Sequence, residues 1–171
     1  SDFLELEDEM RTMRTNNYAA VDLAISDADK AAYTVIVIGG IDQYRRLQIK
    51  NVIRFRGDAN EIINQMFQIQ QLYDISIWKV EEGQISKTLM GPIMEQMNVR
   101  GIYLNISTGV PVKDKRSRAR AIQARMRAGG VYFPKDAAWF PGFEQELLHF
   151  PKGMYKDQVD AISWFMASMN A

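Results

Sequence analysis

The chain has 171 residues, is 47% hydrophobic and carries 21 basic against 21 acidic side chains, for a formal charge of zero. That length fits one domain with a sizeable core, and the neutral balance gives no global reason to expect a nucleic-acid partner. With no cysteine, disulfides and thiolate metal sites are excluded; no apolar run reaches the ~18 residues that span a bilayer and the N-terminus lacks signal-peptide character, which predicts a cytosolic protein without a membrane partner.

In chain order, Phe3, Leu4, Leu6, Met10 and Met13 lie among charges between Asp2 and Thr15, a loose helical spacing ending at Asn16-Asn17. Residues 1–17 therefore read as a lead-in and 18–171 as the domain proper. Tyr18 to Ile25 reads as a first strand, Tyr33 to Ile38 as the clearest strand of the chain, and Leu47 to Phe55 as a third, with short turns that favour an antiparallel meander. The period then changes. Ile62, Ile63, Met66, Phe67, Ile69 and Leu72 fall on one helical face within Ala59 to Tyr73, with Asp58 as N-cap. Strand chemistry returns at Ile75 to Val80, helix at Ser86 to Met97, strand at Gly101 to Ile106, and helix at Lys113 to Arg127 up to Gly129-Gly130. A short strand Val131 to Phe133, a helix Phe143 to Phe150 and a last helix Asp157 to Met169 complete the chain. Three antiparallel strands followed by alternating α and β is the order of a ribonuclease H-like α/β domain, a mixed sheet with helices on both faces.

Three acidic stretches stand at the edges of apolar runs: Val21-Asp22-Leu23-Ala24, Trp78-Lys79-Val80-Glu81-Glu82-Gly83 and Lys156-Asp157-Gln158-Val159-Asp160-Ala161. A carboxylate in an apolar strand has to be solvated, paired or metal-bound, because burying it alone is too costly. On the predicted scheme Asp22 lies in the first strand, Glu81 at the end of the fourth and Asp157 at the start of the last helix. The crossover helix makes the first and fourth strands neighbours, so their acids can meet. Taken singly, each acid has an ordinary explanation, a turn cap, a solvated corner or an N-cap. Together they form an oxygen-rich set suited to Mg²⁺ or Mn²⁺, two ions about 4 Å apart being the arrangement that serves phosphodiester hydrolysis, with Asp22 bridging.

Lys113, Lys115, Arg116, Arg118, Arg120, Arg125 and Arg127 face one acid, Asp114, in the predicted basic helix. A solvated face is the plain explanation, but the one-sided excess also suits a DNA backbone. Ile122 and Met126 form its core-facing stripe. His149 is the only histidine, so a catalytic triad or histidine-rich metal site lacks material, and no Gly-rich nucleotide-binding loop is present.

These residues resemble the C-terminal nuclease domain of the large terminase subunit of tailed bacteriophages. The likeness runs from about Tyr18 to Met169 and rests on Val21-Asp22-Leu23-Ala24 with Tyr33-Thr34-Val35, the Trp78 to Gly83 segment, Asp114-Lys115 with Arg118-Ala119, and Phe150-Pro151-Lys152-Gly153 leading to Asp157-Gln158-Val159-Asp160-Ala161. It implies a metal-dependent endonuclease acting on double-stranded DNA during genome packaging, with Asp22, Glu81 and Asp157 as metal-binding acids and Asp160 in support. It favours Glu81 over Glu82, because the family's acid directly follows the apolar strand. Where the family often carries His-Asp-Asp, this chain has Tyr155-Lys156-Asp157, which implies one tight and one weak metal site. It also implies as partners a packaging ATPase domain, a small terminase subunit and the capsid portal, an excised domain with Asp2 to Thr15 as the remnant of an interdomain connection, and a virus-encoded protein of the host cytoplasm. A Holliday-junction resolvase or ribonuclease of the same fold, and a non-catalytic DNA-binding module, are the rival readings.

Overall fold

The amide ladder of β3 (Thr34–Ile41) is the centre of the molecule: flanked on both sides and buried on both faces, it carries the apolar run Val35, Ile36, Val37, Ile38 without exposure. In this computed structural model, which describes residues 3–23, 33–109, 115–149 and 157–169, seven strands form one mixed sheet. The others are β1 (Leu4–Glu5), β2 (Asn16–Asp22), β4 (Leu47–Phe55), β5 (Ile75–Glu81), β6 (Ile106–Gly109) and β7 (Val131–Phe133), in the order β1-β7-β4-β3-β2-β5-β6. The β2–β3 and β3–β4 pairs are antiparallel and the remaining pairs parallel. This is the predicted meander followed by crossovers.

The period-2 alternation of the strands splits the core into two layers. Val35 and Val37 join Ala20, Leu47, Val52 and Val131 on one face, covered by α4 (Lys115–Ala128), α5 (Phe140–His149) and α6 (Asp157–Met169). Ile36 and Ile38 join Ala19, Val21, Trp78 and Val80 on the other, covered by α2 (Ala59–Tyr73) and α3 (Gln84–Arg100). Each large side chain so buried contributes about 1.5–3 kcal/mol. Trp78 satisfies its ring N–H inside the second layer, donating to Gln70 Oε1 at 2.7 Å.

Local rules account for most boundaries. Asp58 caps α2 by accepting from the Glu61 amide at 3.0 Å. Gly129 and Gly130, at φ 82° and 91°, end α4 and turn the chain into β7, a conformation that favours glycine. Three segments differ from the sequence expectation. The lead-in is not one helix: Leu4–Glu5 pairs in parallel with β7, one short helix α1 (Asp8–Arg11) follows, and Leu6 and Met10 are buried. Phe3 packs edge-on against Phe133, Phe140 and Phe143, so its apolar residues serve the sheet edge instead of a helical stripe. The strand expected at Gly101 to Ile106 begins only at Ile106, because Gly101 (φ 66°) forms the left-handed cap of α3 and the chain must first return to the sheet. The first strand ends at Asp22; Ala24 and Ile25 lie outside the described residues.

Candidate active site

Strand register brings two of the candidate acids side by side. Ala20 lies beside Lys79 and Val21 beside Val80 in the parallel β2–β5 pair, so the next step along both strands sets Asp22 beside Glu81, with backbones about 5 Å apart. Alternation gives both the same face. Val21 and Val80 point into the α2/α3 layer, so Asp22 and Glu81 point to the α4/α6 face, and Asp22 is also paired with Val35 of that face. Both are half-buried, each at the carboxyl end of its strand, the side of a parallel sheet where ligands are usually received. Glu82 leaves the strand and is exposed, while its amide donates to the Gly109 carbonyl at 2.8 Å. Ser86 then fixes the chain exit, its hydroxyl accepting from the Gly83 amide at 2.9 Å and donating to the Gly83 carbonyl at 2.8 Å.

Helix α6 lies across this face, packed on β2 and β3. Phe165 meets Gly39 so closely that a Cβ there would lie 2.5 Å from its Cζ, and Trp164 approaches Gly109 at the end of β6. Asp157 is the first residue of α6; its side chain is outside the described atoms. Asp160, one turn on, is 8% exposed and buried among the residues of this layer. Among the described residues no group of three or more acids, histidines or cysteines is placed to hold a metal ion, so Asp160 does not join Asp22 and Glu81 in such a group, and what the strand register brings together is the Asp22–Glu81 pair. Its chemistry fits a hard divalent cation: the donors are carboxylate oxygens, cysteine is absent, and His149 is exposed with Nδ1 2.9 Å from the Gln145 carbonyl oxygen.

The basic helix also packs on α6, so it belongs to the same side of the sheet. Ile122 and Met126 are buried in that layer, as their spacing predicted. Arg120 and Arg127 are exposed and Arg125 is half-buried. Lys113 lies outside the described residues, and the helix includes Lys115, Arg116 and Arg118 without their side chains being described. Lys79 shares the face of Glu81 two residues earlier on β5 and donates to Ser107 Oγ at 3.2 Å. Its signal in the sequence is the i, i+2 spacing to Glu81 within one strand.

No protein-family model and no curated protein sequence matches the chain. Solved structures do. The large terminase nuclease from thermophilic phage G20c with bound magnesium is similar with a TM-score of 0.61 at 15% identity, over 95% of this chain and 82% of that one. The yeast mitochondrial Holliday junction resolvase Ydc2 is similar at 0.54 and 14% identity, over 91% and 79%. The fowlpox virus Holliday junction resolvase is similar at 0.53 and 12% identity, over 90% and 97%. At these identities the likeness is one of fold: the chain has the ribonuclease H-like architecture shared by large terminase nucleases and Holliday junction resolvases.

Proposed function

We propose that this domain is a divalent-metal-dependent endonuclease that cuts double-stranded DNA during packaging of a phage genome. The observation that carries the reading is the alignment of Asp22 and Glu81 on neighbouring strand ends, on the face crossed by the helix that begins at Asp157. Asp22, Glu81 and Asp157 would hold the metal ions, Mg²⁺ or Mn²⁺, with Asp160 in support. Bound there, such ions supply a nucleophile at neutral pH and neutralise charge on the leaving oxygen. The chain's own residues do the rest. The β2 and β5 ladders hold the two carboxylates rigidly, and the arginines of α4 offer positive charge to the phosphate backbone on the same side of the sheet. On this reading the protein works in the host cytoplasm alongside a packaging ATPase domain, a small terminase subunit and a capsid portal.

The likeness to the yeast and fowlpox resolvases favours a second reading, in which the same carboxylates cut a four-way junction. Incubation with magnesium and equal amounts of linear duplex, four-way junction and RNA-DNA hybrid separates the two. Cleavage of linear duplex at a rate matching or exceeding the junction supports the packaging nuclease, and symmetric cutting confined to the junction overturns it.

A further inference from the structure

Two guanidinium groups converge on one tyrosine at the same edge of the sheet as the acidic pair. Arg54 Cζ and Arg56 Cζ each lie 4.4 Å from the centroid of the Tyr33 ring. Tyr33 precedes β3, Arg54 is the next-to-last residue of β4 and Arg56 follows it, so a strand start and a strand end meet there. Register sets the direction. Val35 pairs with Asp22 on one side and with Arg54 on the other, placing Glu81, Asp22, Val35 and Arg54 in one row across four strands. Val35 and Val37 belong to the α4/α6 layer and Tyr33 packs against it, so Asp22, Arg54 and Tyr33 share a face and Arg56, two residues on, shares it too. Arg54 therefore stands two strands from Asp22, about 10 Å away. Both arginines are exposed.

We propose that Arg54 and Arg56, held by Tyr33, form a second DNA-backbone contact that grips phosphates a few nucleotides from the one being cut; this rests on the nuclease reading for its orientation relative to the acidic pair. Like charges brought to one ring concentrate positive potential, which an anion relieves. Guanidinium forks match phosphate oxygens bidentately, and stacking on an aromatic face limits the freedom they lose on binding. At about 10 Å the patch lies within roughly two backbone steps of the acidic pair, so a strand entering the pair from this end of the sheet passes over it. The α4 arginines and this patch would then hold the duplex at two places on one face, fixing its register over the carboxylates.

The test is binding of a short DNA duplex by fluorescence anisotropy, in chelator so that nothing is cut, across a series of salt concentrations. Arg54→Gln with Arg56→Gln is expected to reduce the slope of log affinity against log salt by about 1.8, two contacts at about 0.9 each. Arg54→Lys with Arg56→Lys is expected to retain the slope, and Tyr33→Leu to weaken binding with the slope kept. An unchanged slope and affinity in the Gln pair overturns the proposal, as does failure of the wild type to bind duplex at low salt. The failures are distinguishable: Asp22→Asn losing cleavage beside an unaffected Gln pair removes the patch and leaves the nuclease, whereas an intact patch effect without cleavage in any metal removes the nuclease alone.

Discussion

Asp22 and Glu81 end neighbouring parallel strands one step beyond the Val21–Val80 pair, with both side chains on the face that α6 crosses. Two carboxylates about 5 Å apart at the backbone are an arrangement a divalent cation stabilises and an apolar layer does not. The position of each acid in the strand alternation also separates Glu81 from its neighbour.

Glu81 lies within β5 and faces the α6 side, whereas Glu82 is exposed beyond the strand. Glu81→Gln is expected to slow plasmid nicking at least about 100-fold, since loss of groups that merely support a metal ligand already costs 10–100-fold. Glu82→Gln is expected to cut at close to the wild-type rate. Equal losses in the two variants would contradict the assignment.

The contact of Gly39 with Phe165 sets how closely α6 approaches the sheet. A Cβ at residue 39 would lie 2.5 Å from Phe165 Cζ and 2.9 Å from Cε1, and Phe165 is 1% exposed with nowhere to retreat. Gly39→Ala should therefore destabilise by about 1–3 kcal/mol through overpacking, although alanine in a strand is otherwise preferred to glycine. Adding Phe165→Leu should recover much of that loss. Urea denaturation of the three proteins checks it, and an unchanged midpoint in the single variant would show that α6 does not seat on Gly39.

Asp42 makes the acid limb of stability readable. Burial by itself raises its carboxyl, but the Arg46 amide and guanidinium, Gln48 and the Tyr44 amide together hold it below the ordinary 3.8. A depressed folded value contributes stability that is complete above the unfolded pKa and is lost as pH falls through the folded one. Wild type should thus lose more stability than Asp42→Asn between about pH 6 and pH 3, while being the more stable of the two at pH 6. Urea midpoints that run parallel for the two proteins over that range would rule this out.

How much could be read beforehand depended on how local the cause was. Helix α2 spans Ala59–Tyr73 as its spacing and its Asp58 cap predicted, although Leu72, expected on the packed face, is exposed in its last turn, and β4 spans Leu47–Phe55, because each is specified by its own side chains. Crossover logic also made β2 and β5 neighbours. The lead-in misled because Phe3, Leu4 and Leu6 answer to partners more than a hundred residues away, which no periodicity within Asp2 to Thr15 encodes. Ile102 to Asn105 carries strand-like residues, yet the left-handed cap at Gly101 delays pairing until Ile106. The basic run of α4 is visible in the charge pattern of the chain, whereas the place of Arg54 and Arg56 beside Tyr33 and near the row of Asp22 follows only from the β3–β4 register.

If Asp22 serves metal-dependent strand cleavage, nicking and linearisation of supercoiled plasmid will depend on both the metal and that carboxylate. Wild type and Asp22→Asn are compared in magnesium, in manganese and in chelator, with circular dichroism confirming that both are folded. Wild type is expected to cut in either metal and not in chelator, and Asp22→Asn not to cut under any condition. Cutting by Asp22→Asn at the wild-type rate, or by wild type in chelator, would contradict it.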